Sequence, residues 1–200
     1  SKLESLSFKK FLEHPYFLAA STHEGEDKII LDSFNLIKKD FPSVRLVVVP
    51  RHPERANKIK ALFLNMGSKS IYENEEEISA DILIVKSLGI LPALYADAQL
   101  AFVGGSLVNR GGHNIIEPAI AKCPFILGEN YFNFKSIVES FISAKATHIV
   151  KTPLDIFEVF CKTYKNQDHF REGMIRNANT VVEKNIGATM RQLSLIRDSL

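Results

Sequence analysis

Short apolar runs alternate with stretches of helical periodicity along the whole chain. Residues 45–49 (Arg-Leu-Val-Val-Val) form a continuous β-branched run, the pattern of a strand buried on both faces. Similar short runs at 16–21, 70–72, 82–85, 100–103, 125–127 and 148–150 read as further strands. Between them, 26–41 places Ile29, Ile30, Phe34 and Ile37 on one helical face, and Pro42 follows its end. Residues 54–66 repeat the pattern with Ile59, Leu62, Phe63 and Met66, with Gly67 as the stop. Helices are also expected over 89–95, 118–122 and 134–144. Another starts at Thr152-Pro153, with Thr as cap and Pro at the first helical position. Residues 169–183 and 189–200 read as a helical tail, 3–13 as a weak helix or linker, and 74–77 as a solvated acidic loop. Strands that alternate with helices in this way predict an α/β fold: a Rossmann-like parallel sheet flanked by helices. With no internal repeat and no low-complexity linker, a single domain over residues 1–200 is expected.

Composition narrows the picture only a little. A hydrophobic content of 46% over 200 residues is enough for a sizeable core. The net charge of +2, with both signs interspersed, gives no argument for nucleic acid as a partner. The two cysteines, Cys123 and Cys161, lie far apart, without Cys-x-x-Cys or metal-spaced histidines, and read as free thiols. No apolar run approaches the roughly 18 residues of a membrane span, and no secretory signal is present. Ser1 in place of an initiator Met fits a fragment or a processed chain.

The candidate chemistry lies in turns that follow predicted strands. One is Phe102-Val-Gly-Gly-Ser-Leu-Val-Asn-Arg-Gly-Gly-His-Asn-Ile-Ile-Glu-Pro-Ala119. Glycines allow close backbone approach to a ligand, and a helix start favours an anion. The others are Ala20-Ser-Thr-His-Glu-Gly-Glu26 and Val49-Pro-Arg-His-Pro-Glu-Arg55. In an open parallel sheet, ligands bind beyond the carboxyl ends of the strands, so these turns are expected to converge. Arg51, between Pro50 and Pro53, is placed to grip a phosphate; the alternative is a surface pair with Glu54 or Asp97. His52 reads equally as a turn residue. Gly104, Gly105 and Ser106 form either an anion nest or a strand-ending turn. His113 either bonds a phosphate or braces its loop, and Arg110 reads as a solvated charge. Asn114 and Glu117 match a capping box. Pro118, however, places the helix start at residue 118 and would leave the Glu117 carboxylate free for a ribose diol. Ser21, Thr22 and His23 do not form a nucleophile triad. The sequence lacks G-x-G-x-x-G, the P-loop and Asp-x-Asp, so dinucleotide cofactors, P-loop chemistry and metal dependence are not indicated.

From about Tyr16 to about Asn185 the chain resembles the 3-deoxy-D-manno-octulosonic acid (Kdo) transferases, and the three blocks carry that resemblance in register. It implies the C-terminal, nucleotide-sugar-binding half of a GT-B glycosyltransferase. The donor would be CMP-Kdo and the acceptor a lipid A precursor of lipopolysaccharide synthesis, with no cofactor. Donor binding would fall to Arg51, His52, Gly89, Gly104, Gly105, Ser106, His113, Asn114 and Glu117, with Ser21, Thr22 and His23 facing the inter-domain cleft. The catalytic base would belong to an N-terminal acceptor domain outside this chain. That domain would also carry the attachment to the cytoplasmic face of the inner membrane. One segment departs from the family: its Asp-Thr-Met-Gly-Glu-Leu pattern is Lys86-Ser-Leu-Gly-Ile-Leu91 here. Gly89 is kept, while the acidic positions are lost to Lys86 and Ile90. Two other readings stay open: a GT-B enzyme or epimerase relative using a UDP-sugar, and a non-enzymatic α/β interaction module with a decayed pocket.

Overall fold

Each strand presents alternate side chains to opposite faces, and that period of two divides the core into two layers. In β1 (Tyr16–Thr22), Tyr16, Leu18 and Ala20 pack on one face while Phe17 and Ala19 pack on the other. The computed structural model describes residues 8–75 and 80–198. It places β1 beside β2 (Arg45–Pro50) and β5 (Leu100–Val103), both parallel to it. The sheet is completed by β3 (Ser70–Tyr72), β4 (Ile82–Ile84), β6 (Phe125–Leu127) and β7 (Thr147–Ile149). All pairings are parallel, in the order β3-β4-β2-β1-β5-β6-β7.

Helices α2 (Glu26–Asp40), α3 (Ala56–Asn65) and α7 (Pro153–Lys165) cover one face through Ile30, Phe34, Ile59, Phe63, Ile156 and Phe160. On the other lie α1 (Lys9–Leu12), α4 (Leu91–Asp97), α5 (Ile116–Ile120), α6 (Lys135–Ser143) and α8 (Glu172–Asp198), through residues such as Phe11, Leu94, Ala119, Phe141 and Ala178. Thr152 caps α7 as expected: its hydroxyl accepts from the Asp155 amide, and the Asp155 carboxylate accepts from the Thr152 amide.

Some boundaries move from the expected ones for local reasons. α4 begins at Leu91 rather than residue 89, because Gly89 has φ +73° and cannot join a right-handed helix. α8 runs unbroken past Gly187, where two helices were expected, and a turn of π-helix over Gln167–Arg171 leads into it. The expected linker over 3–13 and the acidic loop over 74–77 lie partly outside the described residues. Among the described residues, no helix is long and apolar enough to cross a membrane.

Candidate functional site

From β1 the chain turns to β2 on one side, and it later returns to β5 on the other. The carboxyl ends of β1 and β5 therefore flank a topological switch point, where open α/β sheets bind ligands. The end of β1 is irregular there. Its register with β2 slips between Ala20 and Thr22, and Ser21 adopts φ 56°. A left-handed non-glycine residue stores backbone strain of about 1–3 kcal/mol. Ser21 opens onto a cavity of about 480 Å³, a size suited to small ligands.

The cavity gathers residues from separate turns. Arg51 enters from the end of β2, Gly89 from the loop after β4, and His113, Asn114 and Glu117 from the loop leading into α5. Leu91, Pro92, Tyr95 and Phe134 supply a largely apolar wall that the sequence reading did not single out. Arg51 is exposed and pairs with neither Glu54 nor Asp97 among the described residues. The cavity thus combines an exposed guanidinium, a carboxylate–amide pair and an apolar wall. That set suits an anion bearing hydroxyls and a flat apolar group.

The Gly-rich turn after β5 has a different job from the one expected. The Gly105 amide donates to Glu26 Oε2 at 2.8 Å, and the Ser106 and Leu107 amides donate to Oε1 at 3.0 and 2.9 Å. A fourth donor, the His23 amide, reaches Oε2 at 2.8 Å. The nest is real, but its anion is the buried carboxylate of Glu26. Burial raises the Glu26 carboxyl above its ordinary range, and the four amides oppose that rise. The expectation that these amides face an external phosphate is corrected accordingly. Gly104 answers a steric demand, since a Cβ there would meet the Ser21 carbonyl oxygen at 2.2 Å. The Ser106 hydroxyl accepts from the Gly128 amide at 2.8 Å and donates to the Val103 carbonyl, joining the ends of β5 and β6. None of Gly104, Gly105 and Ser106 lines the cavity.

Thr22 is also turned away from it. Its buried hydroxyl donates to Asp27 Oδ1 at 2.9 Å, and Arg55 bridges the Asp27 carboxylate to the Thr22 carbonyl. This part-buried ion pair fixes β1, α2 and the 3-10 turn Pro53–Arg55 against one another. His52 sits outside the cavity, exposed, with Nδ1 3.8 Å from Glu54.

At the α5 entrance, Asn114 and Glu117 pair with each other. The helix starts at Ile116, not at residue 118, with Pro118 inside its first turn where a missing N–H costs nothing. Asn114 Oδ1 accepts from the Ile116 amide at 2.9 Å, an Asx turn just before the helix. Its Nδ2 donates to Glu117 Oε1 at 3.2 Å. The amide holds the carboxylate in place, and Glu117 stays exposed on the cavity wall.

Behind His113 lies His23, Nε2 to Nε2 at 2.7 Å, with ring planes 13° apart. His52 meets His23 edge-on at 5.7 Å. Desolvation, then the neighbouring His113, His52, Arg110 and Arg55, lower the His23 pKa to about 4. Desolvation, then Arg51 and His52, lower that of His113.

The segment that departs from the family pattern is anchored from β3. The Glu73 carboxylate accepts from the Lys86 and Ser87 amides at 3.2 and 3.3 Å and from the Ser87 hydroxyl at 2.9 Å. Lys86 Nζ lies 3.5 Å from the centre of the Tyr72 ring, a cation–π contact, and neither residue lines the cavity. Gly89 therefore keeps a defined place on the wall without the lost carboxylates.

No family model matches the chain. It is 34% identical over 202 residues to the 3-deoxy-D-manno-octulosonic acid transferase of Haemophilus influenzae, covering 100% of this chain and 47% of that protein. It is 31% identical over 197 residues to the transferase of the same name from Bordetella pertussis, covering 93% and 45%. The crystal structure of the C-terminal CMP-Kdo binding domain of WaaA from Acinetobacter baumannii superposes with a TM-score of 0.82 at 29% identity, covering 90% of this chain and 96% of that one. Among the described residues, the seven parallel strands with helices on both faces, together with this match, define the C-terminal domain of a GT-B glycosyltransferase. The chain spans about half the length of the curated relatives it matches. It belongs to the Kdo transferase family.

Proposed function

We propose that the cavity binds CMP-Kdo, with the phosphate at Arg51 and His113, the ribose diol at Glu117, and the base against Gly89 and the wall of Leu91, Pro92 and Tyr95. The observation that carries this reading is the meeting of Arg51, Gly89 and Glu117 on one cavity from three separate turns. Arg51 is the strongest electrostatic element. Departure of the CMP leaving group places negative charge on its phosphate and positive charge on the sugar, and a guanidinium already aimed at that phosphate lowers the barrier. Glu117, held by Asn114, fixes the ribose and so the direction of attack.

In the whole protein this domain would present the donor to a lipid A precursor at the cytoplasmic face of the inner membrane. A general base on the acceptor half would deprotonate the attacking hydroxyl. The chain alone then binds nucleotide without transferring sugar. Calorimetry with CMP, UDP and NAD tests this. Binding is expected for CMP, more weakly for UDP, and not for NAD. Tighter binding of UDP would reassign the cavity to a UDP-sugar, and no binding of any nucleotide would leave an interaction module.

A further inference from the structure

We propose that His23 and His113 form one titrating unit that takes up a proton as the donor's phosphate enters, with His23 acting as a positioning residue through His113. This inference rests on the donor-binding reading above.

The geometry is that of a single in-line hydrogen bond. The ring planes are 13° apart and the centroids 5.0 Å apart, while the Nε2 atoms are only 2.7 Å apart. Rings stacked face to face could not combine those values with nearly coplanar planes and so close a nitrogen pair. The rings therefore meet end to end. A neutral imidazole has one donor and one acceptor nitrogen, so a single proton lies between the two Nε2 atoms. Loop packing holds them: Gly105, at φ +70°, would put a Cβ 3.2 Å from His113 Nε2 and 3.4 Å from His23 Cδ2. A side chain there would press on the joint between the rings.

The surroundings keep the empty pair neutral. Desolvation of both rings comes first; beyond it, His52, Arg110 and Arg55 oppose positive charge on His23, and Arg51 and His52 oppose it on His113. From the start of α2 the facing acid is Glu26, whose oxygens are engaged by four amides. A phosphate reverses this field on the His113 side alone, because His113 lines the cavity and His23 does not. His113 then becomes the imidazolium. It donates Nε2–H to His23 and keeps its Nδ1–H for the ligand. His23 has to present a bare Nε2 to accept that hydrogen bond, which makes it the partner that orients the His113 imidazolium.

The consequence is proton-linked binding. Affinity rises as pH falls, by up to about tenfold per pH unit, between the low pKa of the empty pair and the higher pKa of the occupied one. Free CMP is unsuitable as the probe, because a phosphate monoester titrates near pH 6 itself, at roughly the same place. The methyl ester of CMP keeps one charge. Its binding at neutral pH is measured calorimetrically in two buffers of different ionisation enthalpy. We expect uptake of between about 0.3 and 1 proton per site, lost in His23→Gln, which still binds but more weakly and with a flat pH profile. Imidazole carbon shifts of unsubstituted His113 supply the same readout without a variant, moving to imidazolium values only when the ester is bound. Tight binding with no proton uptake and a neutral His113 overturns the inference and leaves the donor site standing. Full uptake retained in His23→Gln overturns the role of His23. No binding of the ester at any pH overturns both readings.

Discussion

The Glu26 carboxylate accepts a hydrogen bond from the Ser106 amide at 3.0 Å, across 80 residues of sequence. It links the start of α2 to the turn after β5 and so locks the two strand ends that flank the switch point. With the Gly105, Leu107 and His23 amides on the same group, Glu26 is the internal anion around which the rim is built. Replacing it leaves several buried donors without a partner. Glu26→Ala is expected to cost about 3–5 kcal/mol, and Glu26→Gln, which keeps one acceptor oxygen, about half of that. Urea unfolding with an unchanged m-value measures both, and a loss below about 1 kcal/mol for the alanine variant would contradict this role.

Arg51 is exposed and contributes little to folding, so its effect should appear in binding alone. Arg51→Ala is expected to weaken CMP binding by about 10- to 100-fold, the range for a hydrogen bond to a charged group, with an unchanged unfolding midpoint. Arg51→Lys should fall between, since an ammonium cannot reproduce the planar fork. Equal affinity of all three forms in calorimetry would remove the phosphate from this end of the cavity.

Glu117 is read out best through the sugar it faces. The wild-type chain is expected to prefer CMP over 2′-deoxy-CMP by about tenfold, and Glu117→Ala to erase that preference. A preference that survives the substitution would return Glu117 to a purely helical role beside Asn114.

Gly104 and Gly128 approach facing backbone so closely that an added Cβ would lie 2.2 Å from a carbonyl oxygen, of Ser21 and Ser106 respectively. Backbone cannot yield as a flexible side chain can. Either glycine changed to alanine is expected to cost about 3 kcal/mol, the upper part of the overpacking range. Thermal unfolding within a degree or two of wild type would show that the facing backbone yields and the rim is loosely packed.

The histidine pair gives stability a pH dependence of definite sign. His23 titrates at about 4 in the folded chain against 6.5 ordinarily, and His113 is lowered in the same direction. As pH falls below 6.5 the unfolded chain takes up protons before the folded one does. Stability is therefore full above that value, declines toward about pH 4 and levels off below it. Denaturant midpoints of wild type and His23→Gln across this range should diverge, with the shallower decline in the variant. Parallel curves would contradict the shift.

Much of this architecture could be read from the chain. Continuous apolar runs located the strands, because a strand buried on both faces leaves an unmixed signature; 100–103 and 125–127 are matched to the residue. The candidate turns were legible because they follow strands at one edge. The partners of the Gly-rich turn were not. Glu26 looks like an ordinary acidic residue in a first helical turn, and only the long-range approach of β1 to β5 makes it a buried acceptor. The apolar wall was missed for a similar reason: Leu91, Pro92, Tyr95 and Phe134 carry no chemistry of their own and gain a role only from what they enclose. The α5 start was misplaced because proline is tolerated anywhere in a helix's first turn, so Pro118 does not mark its first residue.

The most direct measurement is a crystal structure of this chain grown with CMP. Density for one nucleotide is expected in the cavity, with its phosphate within hydrogen-bond distance of the Arg51 guanidinium and its ribose hydroxyls on Glu117. A nucleotide bound elsewhere, or one in the cavity that touches neither side chain, would contradict the account.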